Sequence, residues 1–77
     1  MNMNATQFLD ARGMNCPLPI LRTKKALSAL NKGETLAVTA TDPGSIKDMQ
    51  SFCNQTGNEL VSSQTNQGEF EFLIRKA

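Results

Sequence analysis

Among the side chains that could do chemistry, Cys16 stands apart, in the segment Cys16-Pro17-Leu18-Pro19. It follows a loop carrying Gly13 and precedes a helical pattern that opens at Leu18. Proline is tolerated in the first helical turn, where backbone N–H groups lack partners anyway. Pro17 and Pro19 fix the direction in which the chain enters the helix and remove two donors, leaving the N–H groups of Leu18 and Ile20. Leu18 also precedes a proline, which biases it away from helical geometry. A helix N-terminus carries roughly half a positive charge. Thiols placed there have their pKa lowered from about 8.5 to between about 3.5 and 7.5. The Leu18 N–H could donate to the sulfur, and Arg12 is close enough in sequence to add a cation. These features predict a thiolate-forming Cys16. A thiolate can take the outer sulfur of a persulfide, as in thiol–disulfide exchange. The persulfide it gains is also anionic, so the same donors suit both states. Such chemistry needs an exposed nucleophile and a docking surface. It needs neither a general base nor an oxyanion hole, and the sequence offers no good candidate for either. The competing expectation is a small buried thiol without chemistry, a common fate of free cysteine.

The second cysteine, Cys53, falls mid-helix on an apolar stripe with Ile46 and Met49 and reads as a core residue. The two cysteines are not a CxxC pair, and the chain contains no histidine, so no zinc set is recognisable. Arg22, Lys24 and Lys25 lie on the helical side away from the Ile20–Leu27–Leu30 stripe, with Leu18 and Leu21. They read either as a solvated face or as a docking patch for an acidic partner beside Cys16, anchored by the two leucines.

These residues must be positioned by a small framework. The chain has 77 residues, which suits one domain. A domain this size buries only about 60% of its unfolded surface, so a deep active-site cavity is not expected. Eight basic against seven acidic residues give a net charge of +1. That balance supplies no general attraction to nucleic acid or anionic membranes. No apolar run is long enough to span a bilayer. Residues 1–6 are polar, lack a signal-peptide pattern and read as a loose tail before a domain over residues 7–77. The expected compartment is the reducing cytoplasm, with at least one free thiol.

Gln7 to Ala11, with its Phe8-Leu9 centre, reads as a first strand. Leu18 to Leu30 reads as a helix with Ile20, Thr23, Leu27 and Leu30 inward, ended by Asn31-Lys32-Gly33. Thr35 to Thr41 alternates with period two. A second helix starts near Ser45, with Ser45 and Asp48 at capping-box spacing, or with Asp42 as cap and Pro43 at the first helical position. Gly57 stops it. Glu59 to Gln64 and Glu69 to Lys76 form a hairpin through Asn66-Gln67-Gly68. The order β-α-β-α-β-β predicts an α/β two-layer sandwich, a four-stranded mixed sheet with two helices on one face.

At this point the chain resembles a known family. Asp10, Gly13, Cys16, Pro17 and Pro19, in the stretch LDARGMNCPLP, match the opening motif of TusA-like (SirA-like) sulfur carriers. The match continues through Gly33 to Leu36, Asp42-Pro43, Asp48, Phe52-Cys53 and Leu73 to Lys76, covering nearly all of the chain after the tail. The resemblance implies a two-layer α/β fold and a persulfide on Cys16. It implies a sulfur donor such as a pyridoxal-phosphate-dependent cysteine desulfurase. It implies a downstream acceptor protein serving tRNA thiolation, molybdenum-cofactor enzymes or sulfur oxidation. The pyridoxal group belongs to the partner, so no cofactor or metal is expected on this chain.

Other readings stay open. A non-catalytic regulatory module would leave Cys16 unreactive. An RNA-binding domain would suit a fold shared with a translation initiation factor domain, although fold analogy is weak evidence for function. Four phenylalanines, no other aromatic residue and a charge of +1 offer little for it. A thiol peroxidase or reductase would need Cys53 to approach Cys16. A carrier is expected to be monomeric between encounters.

Overall fold

A computed structural model describes residues 5–77. Its elements are β1 (Gln7–Ala11), α1 (Leu18–Ser28), β2 (Thr35–Ala40), α2 (Ser45–Thr56), β3 (Glu59–Asn66) and β4 (Glu69–Arg75). The strands form one sheet in the order β1-β2-β4-β3. β1 and β2 are parallel, and the other two pairs are antiparallel. The architecture is the α/β two-layer sandwich of the sequence reading, with a mixed sheet and both helices on one face.

The burial pattern follows the pleat. In β2, Leu36, Val38 and Ala40 are buried while Thr35, Ala37 and Thr39 are only partly covered. Phe72 and Ile74 of β4 stand across from Val38 and Leu36 on the same face. Leu27 and Leu30 from the α1 side, and Met49 and Cys53 of α2, close over them. Burying each such large side chain contributes about 1.5–3 kcal/mol relative to exposure.

The element ends explain where the chain turns toward the site. α1 stops two residues before Leu30. Its tail tightens as the N–H groups of Ala29 and Leu30 donate to the carbonyls of Ala26 and Leu27, three residues back. Leu30 stays buried despite this. The Lys76 ammonium donates to the carbonyls of Leu27 at 2.8 Å and Leu30 at 3.0 Å, placing a cation at the negative end of α1.

At α2 the expected capping box is not formed. Gly44 occupies the cap position with no side-chain bond, and Ser45 is already in the first turn with a buried hydroxyl that has no partner among the described residues. The alternative start at Pro43 does not form either: Pro43 and Gly44 are in a turn closed by the Ser45 N–H on the Asp42 carbonyl at 2.9 Å. Both acidic side chains are used elsewhere, as described below. The β3–β4 hairpin turns on Gln67 and Gly68, both with positive φ, which is the geometry of a two-residue hairpin loop matching strand twist.

Residues 1–4 of the expected tail lie outside the described residues. Thr6, its last residue, is not loose. Its N–H donates to the Thr35 carbonyl at 2.9 Å, and its hydroxyl accepts the Thr35 N–H at 3.2 Å.

The second face of the sheet is open. Phe8, Ala37, Leu73 and Ser62 stand in register across all four strands, and Phe8 is 69% exposed. They help to line a groove of about 330 Å³ that shares no residue with the surroundings of Cys16.

Candidate functional site

Cys16 is an exposed, free cysteine in the turn between β1 and α1. The loop is shaped from its backbone outward. Gly13 has φ +80°, a conformation that side chains with a Cβ adopt only with strain, and its N–H donates to the Thr41 hydroxyl at 2.9 Å. The Cys16–Pro17 peptide is cis. Pro19 lies in the first turn of α1 and is buried, as its position at a helix start permits.

The electrostatics reverse the expectation from sequence. The Cys16 thiol donates a hydrogen bond to Asp48 Oδ2 at 3.0 Å, and the Cys16 N–H donates to Asp42 Oδ2 at 3.2 Å. The Asp48 hydrogen bond pushes the thiol pKa up from its ordinary value, followed by desolvation and then by the negative charges of Asp48 and Asp42. The donors expected to favour a thiolate are engaged elsewhere. The Leu18 N–H donates to the Asn15 carbonyl at 2.8 Å. The Arg12 guanidinium holds Asp10 at 2.9 Å and reaches Glu69 at 3.5 Å. Asp10 is thereby lowered to a pKa of about 2, chiefly through its hydrogen bonds from Arg12, while Arg12 is raised. Arg12 and Asp10 brace the loop against β4 and do not bear on the sulfur.

The other cysteine is where its stripe put it. Cys53 is buried with Met49, and burial alone raises its pKa. Leu18 (46% exposed) and Leu21 (54% exposed) are open to solvent, as are Arg22, Lys24 and Lys25. Leu18, Leu21, Arg22 and Lys25 share one ridge by their three- and four-residue spacing, with Lys24 beside it. Among the described residues these three cations make no ion pair.

Sequence reasoning missed the second wall of the site. Cys16, Pro17 and Ile20 face Asp48, Ser51, Phe52 and Gln55 across an open depression of about 260 Å³. Residues 48, 51, 52 and 55 are one stripe of α2 at helical spacing, next to the inward Ile46–Met49–Cys53 stripe. That stripe was available in the sequence; its approach to Cys16 was not. Asp42 and Asp48 come from 26 and 32 residues away. Among the described residues no group of histidine, cysteine or carboxylate side chains could hold a metal ion. No helix among them is long and apolar enough to cross a membrane.

Comparisons with known proteins agree with this architecture. Residues 7–76 match the family described as Sulfurtransferase TusA. The chain is 59% identical over 71 residues to the sulfur carrier protein TusA of Allochromatium vinosum, a match covering 92% of this chain and 93% of that one. The crystal structure of a SirA-like protein from Desulfitobacterium hafniense superposes with a TM-score of 0.80 at 28% identity, covering 90% of this chain and 95% of the other. With an exposed motif cysteine at the start of α1, a buried second cysteine and the matching fold, the chain belongs to the TusA family of sulfur carriers.

Proposed function

We infer that Cys16 is the sulfur-carrying residue, holding a persulfide that it accepts from one protein and passes to another. The observation that carries this is the contrast between the two thiols. Cys16 is exposed beside an apolar and cationic ridge and an open depression, while Cys53 is sealed in the core. In loading, the Cys16 sulfur attacks the outer sulfur of the donor persulfide. A new S–S bond forms at Cys16, the donor's S–S bond breaks, and the donor cysteine leaves with the electron pair and takes up the proton that Cys16 gives up. Nothing is oxidised or reduced overall, so the chain needs no cofactor of its own.

The donor class is a cysteine desulfurase or another persulfide-bearing protein. The acceptor is a further relay protein, with tRNA thiolation or molybdenum-cofactor enzymes as destinations, in a reducing cytoplasm. Leu18, Leu21, Arg22, Lys24 and Lys25 form the docking ridge, and the carrier works as a monomer between encounters.

The test is intact mass after incubation with a cysteine desulfurase and cysteine, without reductant. Wild type and Cys53→Ser should gain one reducible sulfur atom, and Cys16→Ser should not. Sulfur carried only by Cys53 would refute the assignment. The hydrogen bond from Cys16 to Asp48 favours one second reading, a regulatory module with a quiescent thiol. No added sulfur from several desulfurases or from a small persulfide would decide for it.

A further inference from the structure

We propose that Asp48, seconded by Asp42, is an electrostatic latch on Cys16: it holds the thiol as a hydrogen-bond donor in the free chain and releases it when a partner sets a cationic side chain against the two carboxylates. The proposal rests on the reading of Cys16 as the sulfur-carrying residue and adds positioning residues and a partner chemistry to it.

The argument begins with what these carboxylates do not do. Asp48 lies in the first turn of α2, and Asp42 stands just before it. Acidic residues at such places ordinarily cap the helix N-terminus. Here neither caps α2. Asp48 accepts from the Cys16 sulfur and Asp42 from the Cys16 N–H. Both Oδ2 atoms lie within 4 Å of the point where a Cβ on Gly44 would stand, so the two negative charges are grouped on the same side of the cysteine. With the thiol as donor at 3.0 Å, Asp48 anchors the protonated form of Cys16.

Among the described residues, no basic side chain forms an ion pair with either carboxylate. In the β1–α1 loop, Arg12 is bound to Asp10 and Glu69. The first four residues of α1, Leu18 to Leu21, carry no charge, and the Leu18 N–H is occupied by Asn15. On α2, Lys47 is exposed and makes no ion pair among the described residues. β1 ends in Asp10-Ala11, its carboxylate held by Arg12.

The same arrangement acts on the loaded state. A persulfide places a second sulfur about 2.05 Å beyond the first, and that sulfur is anionic. Facing two carboxylates, it is repelled outward, toward solvent and a docking partner. On unloading, Cys16 leaves as a thiolate, and a thiolate of raised pKa leaves more slowly, so the two carboxylates also hold the sulfur in place in the free chain. A cation from the partner cancels the repulsion in the complex, so the thiol becomes nucleophilic where transfer is wanted and stays quiet elsewhere.

Alkylation of Cys16 by iodoacetamide tests the latch, read peptide by peptide so that Cys53 is separate, across pH 5 to about 10.5. In Asp48→Asn the midpoint should move to lower pH, and the rate at pH 7 should rise by at least about threefold through a larger thiolate fraction. The plateau at high pH should not rise, because a less basic thiolate is intrinsically less nucleophilic. A merely structural loosening of α2 would raise the rate at every pH and leave the midpoint in place, which overturns the proposal. Should the variant fold poorly, the wild type alone decides: added salt screens the carboxylates and should lower the midpoint, and a salt-independent midpoint overturns the latch. The partner arm compares loading by cysteine persulfide and by a cysteine desulfurase. Asp48→Asn should accelerate the first and give a smaller gain, or a loss, with the second. Equal acceleration with both overturns release by a partner cation. Since alkylation involves no sulfur donor, failure of the latch is distinguishable from failure of the carrier reading.

Discussion

The two cysteines show how much a residue's neighbours decide. Helical periodicity alone separates Cys53, on a buried stripe, from Cys16, at a helix start. It says nothing of the charge around Cys16, because the carboxylates that govern it arrive from α2 through tertiary contact. Arg12 illustrates the same limit. Sequence proximity places it near the thiol, whereas the fold spends its guanidinium on Asp10 and Glu69. Its removal should act on stability in acid. Asp10 has its pKa lowered from 3.8 to about 2, so its pairing is fully stabilising above about pH 4 and is lost as the pH falls toward 2. Arg12→Ala abolishes that difference, so its melting temperature should fall less steeply between pH 4 and 2 than that of the wild type. Parallel slopes at low salt would show that the surface pair contributes nothing.

At the scale of elements, the order β-α-β-α-β-β was legible from alternation and helical spacing, because each strand and helix has one buried face. The strand order was not. β4 inserts between β2 and β3 through long-range pairing that no local pattern encodes. The ends of elements were also partly hidden. The acidic residues before and within the first turn of α2 look like caps in sequence and are diverted to the cysteine in three dimensions. The C-terminal end of α1 is finished by Lys76, 46 and 49 residues away from the carbonyls it meets. A charged donor on two carbonyls at the negative end of a helix is worth about 1–3 kcal/mol. Lys76→Ala should therefore lower the melting temperature by several degrees, about 4–8 °C per kcal/mol for a domain of this size. Lys76→Arg should recover part of the loss. An unchanged melting temperature in Lys76→Ala would mean that water satisfies those carbonyls equally well.

For the molecule as a whole, net charge conceals the distribution that matters. A balance of +1 gives no reason to expect steering. The fold nevertheless gathers Arg22, Lys24 and Lys25 on the exposed side of α1, while the cysteine's own surroundings carry Asp42 and Asp48. If the proposed ridge and latch both act, a partner that docks here is of mixed charge, with acidic groups for the ridge and a cation for the carboxylates. Charge reversal of Arg22, Lys24 and Lys25 to glutamate tests the first half of that requirement. None of the three side chains is buried or ion-paired among the described residues, so each reversal should change stability by no more than roughly 0.5 kcal/mol, and the triple should lower the melting temperature by no more than about 6–12 °C. Docking is another matter, because like charges across an interface repel and slow the encounter. Sulfur loading from a desulfurase at sub-saturating concentration should slow by about tenfold or more, with the deficit shrinking as salt is raised. Loading from cysteine persulfide, which needs no docking surface, should change far less. Equal desulfurase rates in wild type and the triple reversal would remove the cations from the interface and leave Leu18 and Leu21 as the anchors to test next.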